Sequence, residues 1–302
     1  MKAVTFAIPL LIALAYGPAQ GWATPILGTA GAFAVLGGSA TTNTGATTIT
    51  GDYGVYPGSS LDETGVTLTG TPHPTDAVAQ QAQIDLTTAY VGLQGLSGLS
   101  LTGQNLGGLE LGPGVYSFAT SADLTGTLTL NAQGATNALF VFNIGTTLTT
   151  ASGPGSAAVQ IINPGPNDAV YWVVGSAATI GTYTSLEGNI LAHDQIALQT
   201  GATIGCGRAL NQTPGPVTMD TNTISIGCSG VTGEAGSNGL SGGTSLEFSA
   251  SGGEVINAGT GTVVSAPGTI LSFAVPEPGT LVLFGFGLVG LFASRRRLFP
   301  VA

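Results

Sequence analysis

From Val173 to Ile226 the chain reads VVGSAATIGTYTSLEGNILAHDQIALQTGATIGCGRALNQTPGPVTMDTNTISI, and apolar residues return in it at a short, nearly constant step. Ile180, Leu198 and Met219 form one column with steps of 18 and 21; Leu186, Ile204 and Ile224 form a second with steps of 18 and 20; Ile190 and Ala209, 19 apart, begin a third. Three columns per period imply three faces per turn. β-prone pieces of this length, punctuated by Gly, Asn and Thr, are too short for a helix pair or a propeller blade. They fit the coil of a β-solenoid, where each coil sends one apolar residue per face inward and stacks on the next at about 4.8 Å. The same step is read upstream from Leu130 to Leu148, Val141 to Val159 and Ile161 to Ile180. Most of the chain from about Leu124 onward is thereby assigned to one mainly β architecture.

Composition agrees. Of 302 residues, 43% are apolar, enough for a substantial core, and 49 glycines supply the tight corners a solenoid needs. Charge is scarce at 7%. Lys2 lies at one end and Arg295, Arg296 and Arg297 at the other, so Arg208 is the one cation between Thr24 and Val275, set against 14 Asp and Glu. Such a body has no cation array with which to displace phosphate counterions, which excludes nucleic acid and anionic membrane surfaces as its partners.

Both ends read as addresses. Residues 1–23, with Lys2, an apolar run and small residues at Gly21 and Ala23, form a secretory signal peptide. Residues 275–297 carry Pro276, Glu277 and Pro278, a 13-residue apolar run from Leu281 to Ala293, and the three arginines. That run is shorter than the roughly 20 residues a helix needs to cross a bilayer comfortably. Its order and spacing resemble the PEP-CTERM sorting signal of Gram-negative bacteria, which implies an exosortase as processing partner and transient anchoring in the inner membrane. Release to the cell surface or extracellular matrix follows, so membrane contact is limited to the sorting helix before processing.

Between the addresses, 24–228 is expected to be one domain and 229–274 a Gly/Ser-rich spacer. One helix is predicted over about 75–93, with Thr75 as cap, Asp76 in its first turn, and Val78, Ala82, Leu86, Ala89 and Leu93 on one apolar face that docks on the solenoid flank. Cys206 and Cys228 are 22 apart, close to one coil. In an exported chain they are expected to form a disulfide between adjacent turns, against the alternative of two small buried thiols.

Several blocks in order carry a family resemblance: LGTAGAFAVLGGSATTNTGATTITGDYGVYPG, DAVAQQAQIDLTTAY, LGPGVYSF, LTGTLTLNAQGATNALFVFNIGTTLTTASG, VYWVVGSAATIGTYTSLEGNILA and GRALNQTPGPVTMDTNTI. Over about Ile26 to Gly227 the chain resembles the microbial ice-binding proteins. The resemblance implies an irregular right-handed β-solenoid of triangular cross-section with one long helix alongside. It also implies N-terminal coils stacked at one end, out of chain order, and adsorption to ice.

Short Thr-rich runs occur at Thr44-Gly45-Ala46-Thr47, Thr182-Tyr183-Thr184-Ser185, Thr200-Gly201-Ala202-Thr203 and Thr221-Asn222-Thr223, the last three recurring in step with the coils. Alternate strand residues about 6.6 Å apart on coils about 4.8 Å apart make a grid similar in scale to the repeats of ice planes. Thr44, Thr47, Thr182, Thr184, Thr200, Thr203, Thr221 and Thr223 are therefore the expected ice-contacting set. Tyr183, bulky, and Asp220, charged, interrupt it. The other reading is a cell-surface or biofilm-matrix protein whose flat face binds extracellular polysaccharide or a second copy.

No enzyme is read from this chain and no cofactor is expected. Asp52, Asp62, Glu63, Asp123, Asp168, Glu187, Asp194 and Asp220 are scattered without a calcium-loop pattern, and His73 and His193 are 120 residues apart with no ligand spacing. Arg208 is expected to be structural, pairing with Glu187 or Asp194.

Overall fold

The three columns are three faces of one parallel solenoid. The structure, a computed structural model, describes residues 26–227 apart from 136–137, 166–167 and 213, together with the short strands Thr244–Phe248, Glu254–Asn257 and Leu271–Ser272. Ile180 lies opposite Leu198, Leu186 opposite Ile204 and then Ile224, and Ile190 opposite Ala209, all with side chains in the interior.

The first face stacks Leu99–Ser100, Gly114–Phe118, Leu139–Ile144 and Ala169–Val174, then the later halves of Ser185–Ala192 and Thr203–Asn211, and finally Phe33–Gly37, Asp52–Val55 and Pro72–Pro74. The second is a separate seven-stranded sheet: Ala122–Leu124, Leu148–Thr150, Ala177–Ile180, Gln195–Leu198, Val217–Asp220, Ala40–Thr44 and Ser60–Leu61. The third runs through Glu110–Leu111, Gly126–Asn131, Ala157–Ile162, the opening residues of Ser185–Ala192 and Thr203–Asn211, then Thr223–Ser225, Thr47–Thr50 and Val66–Thr69. On all three faces the N-terminal coils thus stack beyond the last coil of the chain, and residues 99–118 begin the opposite end.

A helix makes that order possible. α1, Ala77–Gln94, carries the chain back by about 27 Å at 1.5 Å per residue. Asp76, rather than Thr75, is its cap, accepting from the Ala79 amide at 2.8 Å; Thr75 stands before it at φ 55 and donates to the Gly58 carbonyl. The buried stripe is Ala79, Ala82, Leu86, Ala89, Tyr90 and Leu93, whereas Val78 is 47% exposed, one position off the predicted stripe. Under it lie Val141, Tyr171, Val173, Leu191 and Leu210 from the first face, together with Phe33 and Leu36. Strands there are apolar on both sides, as expected of a parallel sheet covered on both faces: Phe140, Phe142, Trp172 and Ile190 point into the coils, with Phe142 and Trp172 stacked at 4.2 Å.

Upstream, the predicted 18-residue steps join residues of different faces. Leu130 pairs with Ile161, Leu148 with Ala178 and Val141 with Tyr171. The coil there is about 30 residues, because longer corners are inserted between the strands. One is closed by Asp168, which accepts from the amides of Ala138 at 3.0 Å and Gly165 at 2.7 Å.

Arg208 is fully buried on the outward side of the first face, the side of Tyr171 and Leu210. Its Nε donates to the Gly31 carbonyl at 2.9 Å and its Nη1 to the Asn189 side chain at 2.9 Å, tying the N-terminal segment to the body. Burial pushes its guanidinium down to about 10. Asp194, one of its expected partners, instead accepts from Ser176 at 2.7 Å and meets His193 at 2.6 Å.

Within 229–274 the three short strands pair antiparallel, with Thr244–Phe248 in the middle. Residues 1–23, Cys228 and the sorting segment with Pro276, Glu277, Pro278, Arg295, Arg296 and Arg297 lie outside the described residues.

Candidate functional site

Two of the three faces are open, and the third face carries the longest threonine ladder. The strand register places Thr127, Ala158, Ser185, Thr203, Thr223, Thr48 and Thr67 opposite one another across seven consecutive coils. All are exposed or half-buried, while their chain neighbours Leu128, Leu186, Ile204, Ile224 and Ile49 point inward and are buried. A second rank runs beside it at the N-terminal end, where Ser225, Thr50 and Thr69 are in register. Among described residues the hydroxyls of Thr223, Thr48, Thr67 and Thr69 are engaged by no other group, and that of Thr203 only at 3.5 Å by the Thr184 carbonyl. Glu110 in the end coil and Glu187 beside the corner to the first face mark the margins.

The eight predicted threonines divide into three groups. Thr203 and Thr223 stand in this ladder. Thr47 and Thr184 are buried, at 1% and 0% exposure, and cannot meet a surface. Thr184 shares a hydrogen bond of 2.7 Å with Thr150, and Thr47 donates to Asn43 at 2.7 Å and accepts from the Asn222 amide at 3.0 Å. The adjacent residues Thr48 and Ser185 take the outward places. Strand side chains alternate, so a one-residue slip exchanges surface for core.

The remaining four, Thr44, Thr182, Thr200 and Thr221, sit at the corner between the second and third faces. Thr200 and Thr221 both donate to the Asp220 carboxylate, and the Thr182 hydroxyl accepts from the Gly153 amide at 2.9 Å. Three of these hydroxyls therefore close the corner instead of forming an open array. Tyr183 projects from it, 54% exposed at φ 59. Gly201 passes beneath at φ +71, where a Cβ would come within 2.8 Å of the tyrosine ring.

The titratable groups sit at coil ends and corners. His73, 8% exposed, meets Asp76 at 2.7 Å and lies 3.6 Å from Asp52, bracing the end coil against the start of α1. The Ala79 amide, with His73, holds the Asp76 carboxyl below the usual carboxylate range, and Ser176 with His193 does the same for Asp194. Among the described residues no group of three or more His, Cys, Asp or Glu is placed to hold a metal. Cys206 is disulfide-bonded.

A parallel three-faced solenoid with a helix along one face and a neutral hydroxyl ladder on another defines a protein that presents a flat, rigid surface. Comparison with known proteins gives that class its family. Residues 35–225 match the Ice-binding-like family, and residues 274–297 match the PEP-CTERM protein-sorting motif. The chain belongs to the ice-binding-like family, whose named members here are ice-binding proteins rather than enzymes.

An ice-binding protein of Nostoc sp. (strain HG1) is 54% identical over 207 residues, 67% of this chain and 74% of that protein. One of Flavobacterium frigoris (strain PS1) is 29% identical, over 66% of this chain and 75% of its own. Among solved structures, an ice-binding protein from the Antarctic ascomycete Antarctomyces psychrotrophicus superposes with a TM-score of 0.63 at 37% identity, covering 67% of this chain and 98% of that one. Another, from an Antarctic biological consortium, does so with a TM-score of 0.61 at 40% identity, covering 67% and 91%.

Proposed function

We propose that this protein is exported and adsorbs to ice through the third face, with the seven-coil ladder from Thr127 to Thr67 as its contact surface. The observation that carries the reading is the unbroken register of small, mostly hydroxyl-bearing side chains, free of charge within the ladder. A threonine offers surface water both a hydroxyl and a methyl, and its β-branching restricts χ1, so little rotamer freedom remains to be lost on contact. Across coils the groups repeat at about 4.8 Å, and along a strand at about 6.6 Å. Each contact is weak, and a rigid array adds them.

The N-terminal signal directs export, and an exosortase recognises Pro276-Glu277-Pro278 and the arginine stop, releasing the domain from its transient inner-membrane anchor to the cell surface or matrix of a Gram-negative bacterium. Cys206 pairs with Cys228, pinning the last coil, which is also the coil on which the N-terminal segment stacks. The chemistry of the contact face requires no cofactor.

The test is ice-recrystallisation inhibition by purified protein, alongside a Thr203→Tyr/Thr223→Tyr variant. Both positions point outward, so the variant keeps its circular dichroism spectrum and melting temperature while its inhibition falls sharply. An inactive parent would overturn the reading, and a fully active variant would remove the contact surface from the third face.

A further inference from the structure

The side of α1 turned away from the solenoid carries no charge. Gln81, Ile84, Thr87, Thr88, Val91 and Gln94 are all exposed on it. The one ionic residue within the helix, Asp85, is held by the Thr29 amide and hydroxyl, both at 2.7 Å, and by Gln81 at 2.9 Å. An ordinary solvated surface would carry charges at about a quarter to a third of its positions. Ile84 and Val91, 54% and 53% exposed and seven residues apart, stand two turns apart on the same side. Of the five exposed large apolar side chains among the described residues, three are on α1, whereas Leu99 and Tyr183 stand singly elsewhere.

The chain leaves the solenoid close to this helix. After Thr223–Ser225 on the third face the next turn would enter the first face, but the place beside Thr203–Asn211 is filled by Phe33–Gly37. The Ile226 amide still donates to the Thr50 carbonyl at 3.0 Å, and a Cβ at Gly51 would touch both Ala34 and Ile226. The exit therefore lies beside Ala34. Thr29, bonded to the middle of α1, is five residues from Ala34, so that middle is within about 18 Å of the exit. The 16 residues from 228 to 243 can span up to about 55 Å before Thr244–Phe248 begins.

That later segment has an apolar side to cover. Leu246 stands opposite Val255 and Phe248 opposite Leu271, and strand alternation places these four on one side of the small sheet. Ser245, Glu247, Glu254 and Ser272 take the other side, with Ile256. Such a sheet must bury its apolar side against another element. Three strands about 4.8 Å apart span about 10 Å, the width of a helix.

We propose that the outer side of α1 is the docking surface for this chain's own 229–274 segment, with the Leu246, Phe248, Val255 and Leu271 side of its sheet laid over Ile84 and Val91. α1 is then sandwiched between two sheets. A second copy fits the helix less well: a strip about 27 Å by 10 Å gives roughly 540 Å² over two copies, well under the roughly 1,200 Å² of a stable interface. Docked there, the segment sends the sorting motif, residues 274–297, off the helix side of the molecule, away from the hydroxyl ladder. The docking is independent of what the third face binds.

The experiment places a photo-crosslinking side chain on the purified full chain, as Ile84→p-benzoylphenylalanine, with Thr127→p-benzoylphenylalanine as the control. Irradiation is expected to join position 84, and not position 127, to peptides from 244–272 in a product of monomer mass. A second arm digests Ile84→Glu/Val91→Lys with a small amount of protease. Both positions are exposed, so the melting temperature is unchanged while cleavage within 229–274 becomes at least tenfold faster. Crosslinks of dimer mass would hand the helix to a second copy and overturn the proposal. So would equal labelling from positions 84 and 127, no product from position 84, or cleavage of the charged variant at the parent's rate.

Discussion

The first and third faces use the same backbone and the same alternation of side chains, yet one is hidden and the other open. Outward positions on the first are Val141, Tyr171, Val173, Leu191 and Leu210, all buried under α1. Outward positions on the third are Thr127, Ser185, Thr203, Thr223 and Thr48, which reach the surface. Burying one large aliphatic or aromatic side chain contributes about 1.5–3 kcal/mol, which threonines on the opposite wall forgo. Stability is thus concentrated under the helix, and the open faces are left free to meet a surface. A solenoid can carry such a division because each face is a separate column in the sequence.

This contrast is open to direct attack. The largest effect is expected from Leu86→Ala, at 0% exposure in the helix stripe, which should cost about 3 kcal/mol by leaving a cavity, read as a drop in the midpoint of chemical unfolding. Arg208→Ala comes next, at about 2 kcal/mol, because it leaves the buried Asn189 side chain and the half-buried Gly31 carbonyl short of a donor. Removing the cap with Asp76→Ala should cost about 1 kcal/mol, visible in the melting temperature.

Acid should act at the same places. The carboxyls of Asp76 and Asp194 are depressed in the folded chain, so their contribution is present above the unfolded carboxylate range and is lost as pH falls through their lower folded values. A melting temperature that stays flat from neutral pH down to about 5 and declines below about 4 is the expected profile; Asp76→Asn combined with Asp194→Asn should flatten the decline. The smallest effect is expected on the open face, where Thr203→Ala should change stability by less than about 0.5 kcal/mol, the range for an outward surface position. A loss comparable to that of Leu86→Ala would break the division between the two faces.

Much of this was legible in the residues. The columns through Ile180, Leu186 and Ile190 lie in register as read, and the helix lies within two residues of its predicted ends. The threonine runs were found, but only half of each pair could be placed. Thr44-Gly45-Ala46-Thr47 looks like Thr200-Gly201-Ala202-Thr203, yet Thr203 is followed directly by the inward Ile204, whereas Thr47 is followed by Thr48 before the inward Ile49. One extra residue at the corner moves the outward place from Thr47 to Thr48. Upstream, longer corners turn chance 18-residue coincidences into false columns. Spacing alone cannot separate a strand step from a corner insertion.

What the sequence by itself determined was the solenoid, its helix, its scarcity of cations and its C-terminal sorting motif, because each depends on local periodicity, composition or a short motif. Only the tertiary structure decided that the first two coils of the chain stack beyond the last one, that Arg208 ties them there, and which threonine of each run faces outward. Those outcomes depend on pairing between strands up to 177 residues apart, as Thr48 and the Asn222–Thr223 step show, and on how each corner turns. Hydrogen bonds across such separations leave no mark in the spacing of neighbouring residues, so they become visible only when the coils are stacked.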